Sequence, residues 1–307
     1  MHARLLDFLM CPDCLPGEVP LRLQGGAVRE DDDILSGHLE CPRCSHTHNI
    51  TDGTAVVLPQ NSVTSAAQLR YETAAALGSY LWTHFGDITA EDHACDAYAS
   101  WAGMLQDGEA PALDAGSAMG RITMELAARC GFAVGVDFSR SFVRTSRELW
   151  KNGRIDSRIV TEGRLTREFS VELPDRLRQG VAEFIVADAM ALPFPAGAFK
   201  TLSSLNLLDK ICRPLDHVHE LFRVAMDSGS TLLIADPFSW AEDICPPEDW
   251  LGGTEKGEFA GRARDNLERL LAGDGFQIRN QEPIWWTIRN HDNHYETIRS
   301  WTTVAGR

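Results

Sequence analysis

The chain has 307 residues, 44% apolar and 24% charged, proportions of a soluble globular protein with room for one large domain and a smaller one. Its net charge of -15 opposes a polyanion, because enzymes of nucleic acids carry basic surfaces that displace counterions from phosphates. A small or basic acceptor is favoured, nucleic acid is disfavoured short of a local basic stripe, and no apolar run is long enough to span a bilayer.

The opening MHARLLDFLMCPDC has Asp7 inside its apolar stretch and no small-residue cleavage site, so a signal peptide is not expected and the cytoplasm is the expected compartment. Eight cysteines are there expected as thiols or metal ligands rather than disulfides. Cys11 and Cys14 frame one C-x-x-C turn and Cys41 and Cys44 a second, each with Pro after the first cysteine. Strand-like residues 19–24 and 34–40 and a polar turn from Glu30 to Asp33 separate them. Two tight pairs match a tetrahedral structural zinc, since each turn puts both sulfurs on one side of its loop, whereas a redox dithiol needs only one pair. His46 and His48 lie close by, but four thiolates complete the shell, so both are expected at the surface or as hydrogen-bond partners of the ligands. So short a segment builds little core, and metal binding is expected to supply its folding energy, of order 10 kcal/mol. A zinc-ribbon domain over 1–60 and a main domain over 61–307 follow from this reading.

Residues 59–66 read as a polar linker, and helical patterns follow over 66–81 and 91–105. Residues 113–142 read LDAGSAMGRITMELAARCGFAVGVDFSRSF. An apolar run ends at Asp114, a small-residue turn holds Gly116, Ala118 and Gly120, a helix pattern follows, and the run Ala133 to Val136 ends at Asp137. That is a strand, a nucleotide loop, a helix and a strand with a ribose-reading carboxylate at its tip. A nicotinamide loop wants a third glycine where Arg121 stands. An ordinary strand-turn-helix with small residues for packing leaves the two acidic residues without a reason.

Ser139 to Trp150 continues as a helix capped by Ser139 or Ser141. Residues 157–173 alternate apolar and polar about Glu162-Gly163, the pattern of an inserted β-hairpin. Strands are then expected over 183–187, 199–205 and 230–235, ending at Asp188, Asn206 and Asp236, with helices over 214–226 and 262–272. The tail from Phe276 offers two or three strands, suited to an antiparallel edge. The expected fold class is α/β: a Rossmann-like core with an N-terminal four-cysteine zinc ribbon and an inserted hairpin.

Glycines at alternate positions after Asp114, with Asp137 downstream, resemble motifs I and II of class I S-adenosylmethionine-dependent methyltransferases; Ala118 replaces the family's middle glycine. The resemblance implies a seven-strand core that binds S-adenosylmethionine through Asp114, Ala115, Gly116, Ser117, Gly120, Arg121, Asp137, Phe138, Asp188, Ala189 and Asn206. Asp137 is suited to both ribose hydroxyls, and Asp188 with the Ala189 backbone to the adenine, all at strand C-termini where such sheets bind ligands; buried structural carboxylates are the alternative. Residues 41–59 resemble the small zinc ribbon that activates tRNA and protein methyltransferases, and the ribbon fused to some rRNA methyltransferases. Here it is joined in cis, which also leaves room for a protein partner docked on it.

The run Asn206-Leu207-Leu208-Asp209 resembles two families that methylate an imidazole nitrogen, the mercaptohistidine methyltransferase of ovothiol synthesis and the seven-strand protein histidine methyltransferase. The first is similar in order at Tyr80-Leu81 with His84-Phe85-Gly86, at residues 118–121 and 136–139, in the hairpin, at 236–240, at 250–253 and at Ile288-Arg289. The implied acceptor is mercaptohistidine or a related histidine derivative, with a histidine-containing protein as the close variant. Asp209 is the expected catalytic carboxylate, accepting the ring N–H so that the other nitrogen is free, and Asn206 holds the carboxylate or the ring edge. Asp209 as a helix cap and Asn206 as a turn residue are the plain alternatives. His84, Tyr295 and Arg289 are substrate candidates, the arginine for a bidentate grip on an amino acid carboxylate, and Trp240, Trp250, Trp285 and Trp286 are candidate walls. An RNA base methyltransferase with a zinc-ribbon substrate domain and a non-enzymatic cofactor-binding regulator remain as other readings.

Overall fold

The computed structural model describes residues 1–62, 66–108 and 111–307. Part of the expected linker, residues 63–65, lies outside the described residues. The N-terminal segment opens with a 3-10 turn, Ala3–Asp7, and then forms β1 (Arg22–Leu23), β2 (Val28–Glu30), β3 (Asp33–Glu40), β4 (Thr47–Thr51) and β5 (Thr54–Val57). Next come α1 (Ala66–Leu69), α2 (Ala74–Phe85) and α3 (Ala97–Gly103). The expected single helix over 66–81 is therefore interrupted: Thr73 accepts the Ala76 N–H at 3.2 Å and starts a new helix, leaving the 70–72 turn between the two. The helix expected over 91–105 is shortened to α3 because Ala90 and His93 take left-handed backbone angles, φ 54° and 65°.

The core alternates β6 (Ala112–Ala115), α4 (Arg121–Cys130), β7 (Phe132–Asp137), α5 (Arg140–Asn152), the hairpin β8 (Arg154–Glu162) and β9 (Leu165–Glu172), β10 (Val181–Ala187), β11 (Thr201–Leu205), α6 (Pro214–Val224), β12 (Thr231–Asp236), α7 (Ala263–Gly273), β13 (Gln277–His291) and β14 (His294–Gly306). Among the described residues the central sheet has 12 strands, ordered β1-β3-β4-β5-β10-β7-β6-β11-β12-β14-β13 with β2 beside β3. From β10 to β12 neighbouring strands run parallel. These strands are short and nearly all buried, as a sheet covered by helices on both faces requires. β14 runs antiparallel to β12 and β13 to β14, the expected antiparallel edge. Ser139 caps α5 by accepting the Phe142 N–H at 3.1 Å. The hairpin starts three residues earlier than 157 and packs on α2, where a side chain at Gly78 would meet the Arg158 carbonyl at 2.3 Å.

The ribbon's sheet runs on into the core: β5 pairs in parallel with β10, Val56 opposite Val186 and Val57 opposite Ala187. Met1, Leu5 and Leu9 are fully buried, and Phe8 stacks on Phe132 and Phe199 with centroids 5.9 and 6.3 Å away. Asp33 ties the seam, receiving the Met1 ammonium at 2.7 Å, Arg147 at 2.5 Å and Lys151 at 2.7 Å. Burial works against its charge, but these cations prevail and hold its carboxyl well below the usual range. Arg147 also reaches Glu183 at 2.9 Å. No helix among the described residues is long and apolar enough to cross a membrane.

Candidate functional site

A cavity of about 980 Å³ opens at the C-terminal ends of β6, β7, β10 and β11, where parallel α/β sheets bind ligands. At one end stand the expected carboxylates. Asp114, 2% exposed, accepts hydroxyls from Thr123 at 2.7 Å and Ser203 at 2.8 Å. Asp137 accepts the Ala118 N–H at 2.9 Å on one oxygen and the Ser139 N–H at 2.8 Å on the other. Burial pushes each of these carboxyls up to about 6, against the pull of its hydrogen bonds. Asp188 accepts the Met190 N–H at 2.9 Å, and burial raises it also. The Ala189 carbonyl is held by His217 Nδ1 at 2.9 Å; Phe138 lines the same wall.

The loop between β6 and α4 is shaped as a cradle. Gly116 has φ +78°, and a Cβ there would come 2.9 Å from the Leu207 side chain. Ala118, in the family's glycine position, is also left-handed at φ 44°, a conformation costing a non-glycine residue about 1–2 kcal/mol and held here by its bond to Asp137. The Ser117 hydroxyl and Asn206 Nδ2 are buried without a protein partner, and both residues line the cavity. Buried polar atoms that lack partners await a ligand or water, so the residues fit the implied cofactor. Asn206 is left-handed at φ 55°, and its Oδ1 accepts the Ser300 hydroxyl.

At the other end the wall is aromatic and apolar, built from Tyr80, His84, Tyr98, Trp286, Ile288 and Ile298. His84 Nε2 lies 2.8 Å from the Tyr98 hydroxyl, while its Nδ1 has no partner. Trp286 Nε1 donates to Ser300 at 2.8 Å.

Several expected site residues point elsewhere. Asp209 is 1% exposed and does not line the cavity. One oxygen accepts the Ser239 N–H at 2.9 Å and meets Lys210 Nζ at 2.8 Å; the other is buried without a partner. It is no helix cap either, since α6 has no side-chain cap; it ties the 208–210 turn to the loop after β12. Burial and then the Asp209 charge push Asp236 far above the usual carboxyl range. Arg121 is fully buried by a bidentate pair with Asp87 at 2.9 and 3.0 Å, by Glu125 and by the His84 carbonyl, and its side chain does not line the cavity. Gly120 starts α4 against Phe184, where a Cβ would come within 2.4 Å, and Ala115 is packed in the core. Neither lines the cavity. Arg289 pairs with Asp292 at the hairpin tip, and Tyr295 packs on Trp82 and His93 at 5.7 and 5.3 Å; both are off the wall. Of the four candidate tryptophans Trp286 alone lines the cavity, while Trp240 and Trp250 stack on each other at 6.2 Å and Trp285 is 59% exposed.

The four cysteine sulfurs lie within 4.8 Å of one another, with Cys11 to Cys44 at 3.6 Å and Cys14 to Cys41 at 3.7 Å. Zinc–sulfur bonds of about 2.3 Å make a tetrahedron with edges of about 3.8 Å, so the set suits structural zinc. His46 bonds Asp13 at 2.5 Å rather than joining the shell. His48 is buried near Cys11 and Asp13, and burial brings its ring down to about 4.

The two carboxyls near 6 give a pH prediction. The implied cofactor carries a sulfonium and an ammonium against one carboxylate, so it binds the ionised forms of Asp114 and Asp137 better. Both are largely protonated at pH 5 and largely ionised at pH 7, so affinity rises with pH, by about tenfold or more over that interval. Calorimetric titration at pH 5, 6 and 7 measures it; a flat profile means that neither carboxyl senses the cofactor.

Residues 113–233 match the methyltransferase domain family, and residues 2–53 match the Trm112p-like protein family. No curated protein matches the chain. Among solved structures, a SAM-dependent methyltransferase from Methanosarcina mazei is 19% identical, covering 67% of this chain and 95% of its own, with a TM-score of 0.44. A chain of the complex that contains the Haloferax volcanii Trm112 methyltransferase activator gives 16% identity, 74% and 96% coverage and a TM-score of 0.45.

Proposed function

We propose that this chain, which carries a class I S-adenosylmethionine-dependent methyltransferase domain and a Trm112-like zinc ribbon, methylates an imidazole nitrogen of mercaptohistidine or a related histidine derivative. When bound, the cofactor supplies an electrophilic methyl group, and the chain's residues have mainly to position the nucleophile and exclude water. The observation that supports this reading is the far end of the cavity: aromatic walls from Tyr80 and Trp286, and a buried polar atom without a partner, His84 Nδ1. Such a space suits a flat, neutral, nitrogen-containing ring. Neutral imidazole attacks through its lone-pair nitrogen, and the product ring returns to neutrality by releasing its N–H proton to water. The acidic surface, with a net charge of -15, suits a small acceptor better than a polyanion.

A macromolecular acceptor, a protein histidine or an RNA base, is the second reading; the match of residues 2–53 to the Trm112p-like family favours it. Methyl transfer from labelled cofactor to mercaptohistidine, a histidine peptide and an rRNA fragment separates the readings. Label in mercaptohistidine is the expected result. Label in the peptide or RNA alone selects the second reading, and cofactor binding without turnover makes the chain a regulator. Because Asp209 faces Ser239 and Lys210 rather than the cavity, Asp209→Asn is expected to keep turnover within about threefold of the parent, a change under about 1 kcal/mol in barrier. Loss of turnover with cofactor affinity intact would return Asp209 to the reaction.

A further inference from the structure

We propose that His84 is a neutral hydrogen-bond donor, its tautomer fixed by Tyr98, which receives an exocyclic lone-pair atom of the methyl acceptor and so selects acceptors that carry one. The inference rests on the proposed function and deepens it. His84 is 3% exposed and Tyr98 7%, and both line the cavity. The Tyr98 hydroxyl lies 2.8 Å from His84 Nε2, and among the described residues no other hydrogen bond is seen at that hydroxyl. A phenol is the better donor of the two and an unprotonated ring nitrogen the better acceptor, so the favoured bond runs from the Tyr98 O–H to Nε2. The ring proton then sits on Nδ1, the atom without a protein partner.

The ring is a poor carrier of protons. Burial and the Arg121 guanidinium lower it to about 3, and Arg121 is itself fixed behind it by Asp87 and by the His84 carbonyl. The groups facing the ring are Tyr80 from its own helix, Tyr98 from α3 and Arg121 from α4; Asp114 faces Tyr98 from β6. No carboxylate touches the ring to stabilise an imidazolium among the described contacts. His84 therefore acts as a positioning residue and not as a general base. The partner it fits is an exocyclic thiolate sulfur or carbonyl oxygen on the acceptor. On a mercaptohistidine acceptor that atom is the ring sulfur, which plain histidine lacks.

Two readouts test this. In the protein labelled with ¹⁵N-histidine, the His84 signals, assigned by their loss in His84→Asn, should report a neutral ring protonated at Nδ1 from pH 5 to pH 8, and Tyr98→Phe should shift the balance toward the other tautomer. An imidazolium above pH 5, or a proton on Nε2 in the parent, overturns the proposal whatever the substrate is. In kinetics, His84→Phe should lower kcat/KM for mercaptohistidine by at least about tenfold with cofactor Kd unchanged. His84→Asn, whose amide N–H stands near the Nδ1 position, should restore part of the loss, and the loss on histidine should be clearly smaller than that on mercaptohistidine. Equal losses on both acceptors, or a loss of cofactor affinity, would place His84 in the scaffold or the cofactor site and overturn the proposal. Failure of the proposed function shows instead as absent label in mercaptohistidine with the nitrogen spectra as expected.

Discussion

Stripping the metal, or replacing Cys11 and Cys41 by serine, is expected to unfold the whole chain rather than free a ribbon from an intact core. Zinc contributes roughly 10–16 kcal/mol to small domains that it organises, against about 5–15 kcal/mol for the net stability of a typical domain. The four sulfurs are already within bonding geometry of one ion, and the ribbon is not an appendage. Phe8 covers Phe132 and Phe199, the Met1 ammonium, Arg147 and Lys151 converge on Asp33, and β5 occupies the edge of β10. Removing residues 1–58 would bare that edge and one face of the core; exposing a fully buried ring such as Phe132 or Phe199 costs about 1.5–3 kcal/mol, and an open strand edge invites aggregation. Calorimetry with the zinc content followed in parallel should therefore show one cooperative transition that collapses with the metal. A core that keeps its melting transition after chelation would make the ribbon dispensable for folding.

The second large effect belongs to Asp137. Asp137→Ala should weaken cofactor binding about a hundredfold or more, read by calorimetric titration, because the carboxylate does two things at once. It pairs the N–H groups of Ala118 and Ser139, so its loss leaves two amides without partners at about 1–3 kcal/mol each and releases the left-handed Ala118. It also presents its remaining lone pairs to the cavity. The amide cost falls mainly on stability, being common to the free and bound protein; about 2.7 kcal/mol is a hundredfold in Kd, and ribose hydrogen bonds to a charged acceptor, at about 1.5–3 kcal/mol each, supply it. Asp137→Asn, which still offers one acceptor oxygen, should lose less. A loss below tenfold in the alanine variant would detach Asp137 from the ligand.

What was legible in the sequence was what short stretches determine by themselves. Paired C-x-x-C turns, the Asp114 loop with Gly116, the Ser139 cap and the hairpin about Glu162-Gly163 each carry their geometry locally, and the strand tips at Asp137, Asp188 and Asn206 do line one cavity. Side-chain direction was not legible, because distant partners decide it. Asp209 turns to Ser239, thirty residues on; Arg121 is drawn back by Asp87; Arg289 is taken by Asp292 beyond its own strand. Tyr98 and Ser300 were missed because only the packing of α3 and β14 brings them to His84 and Asn206. The late start of α3 had no glycine or proline among residues 91–96 to announce it; Ala90 and His93 adopt left-handed angles there.

The most direct measurement is a crystal structure of the chain with S-adenosylhomocysteine and mercaptohistidine bound together. The ribose hydroxyls should lie on Asp137, and the acceptor ring between Tyr80 and Trp286 with its sulfur on His84 Nδ1. An acceptor held instead by Asp209, or a ribose away from Asp137, would contradict the account.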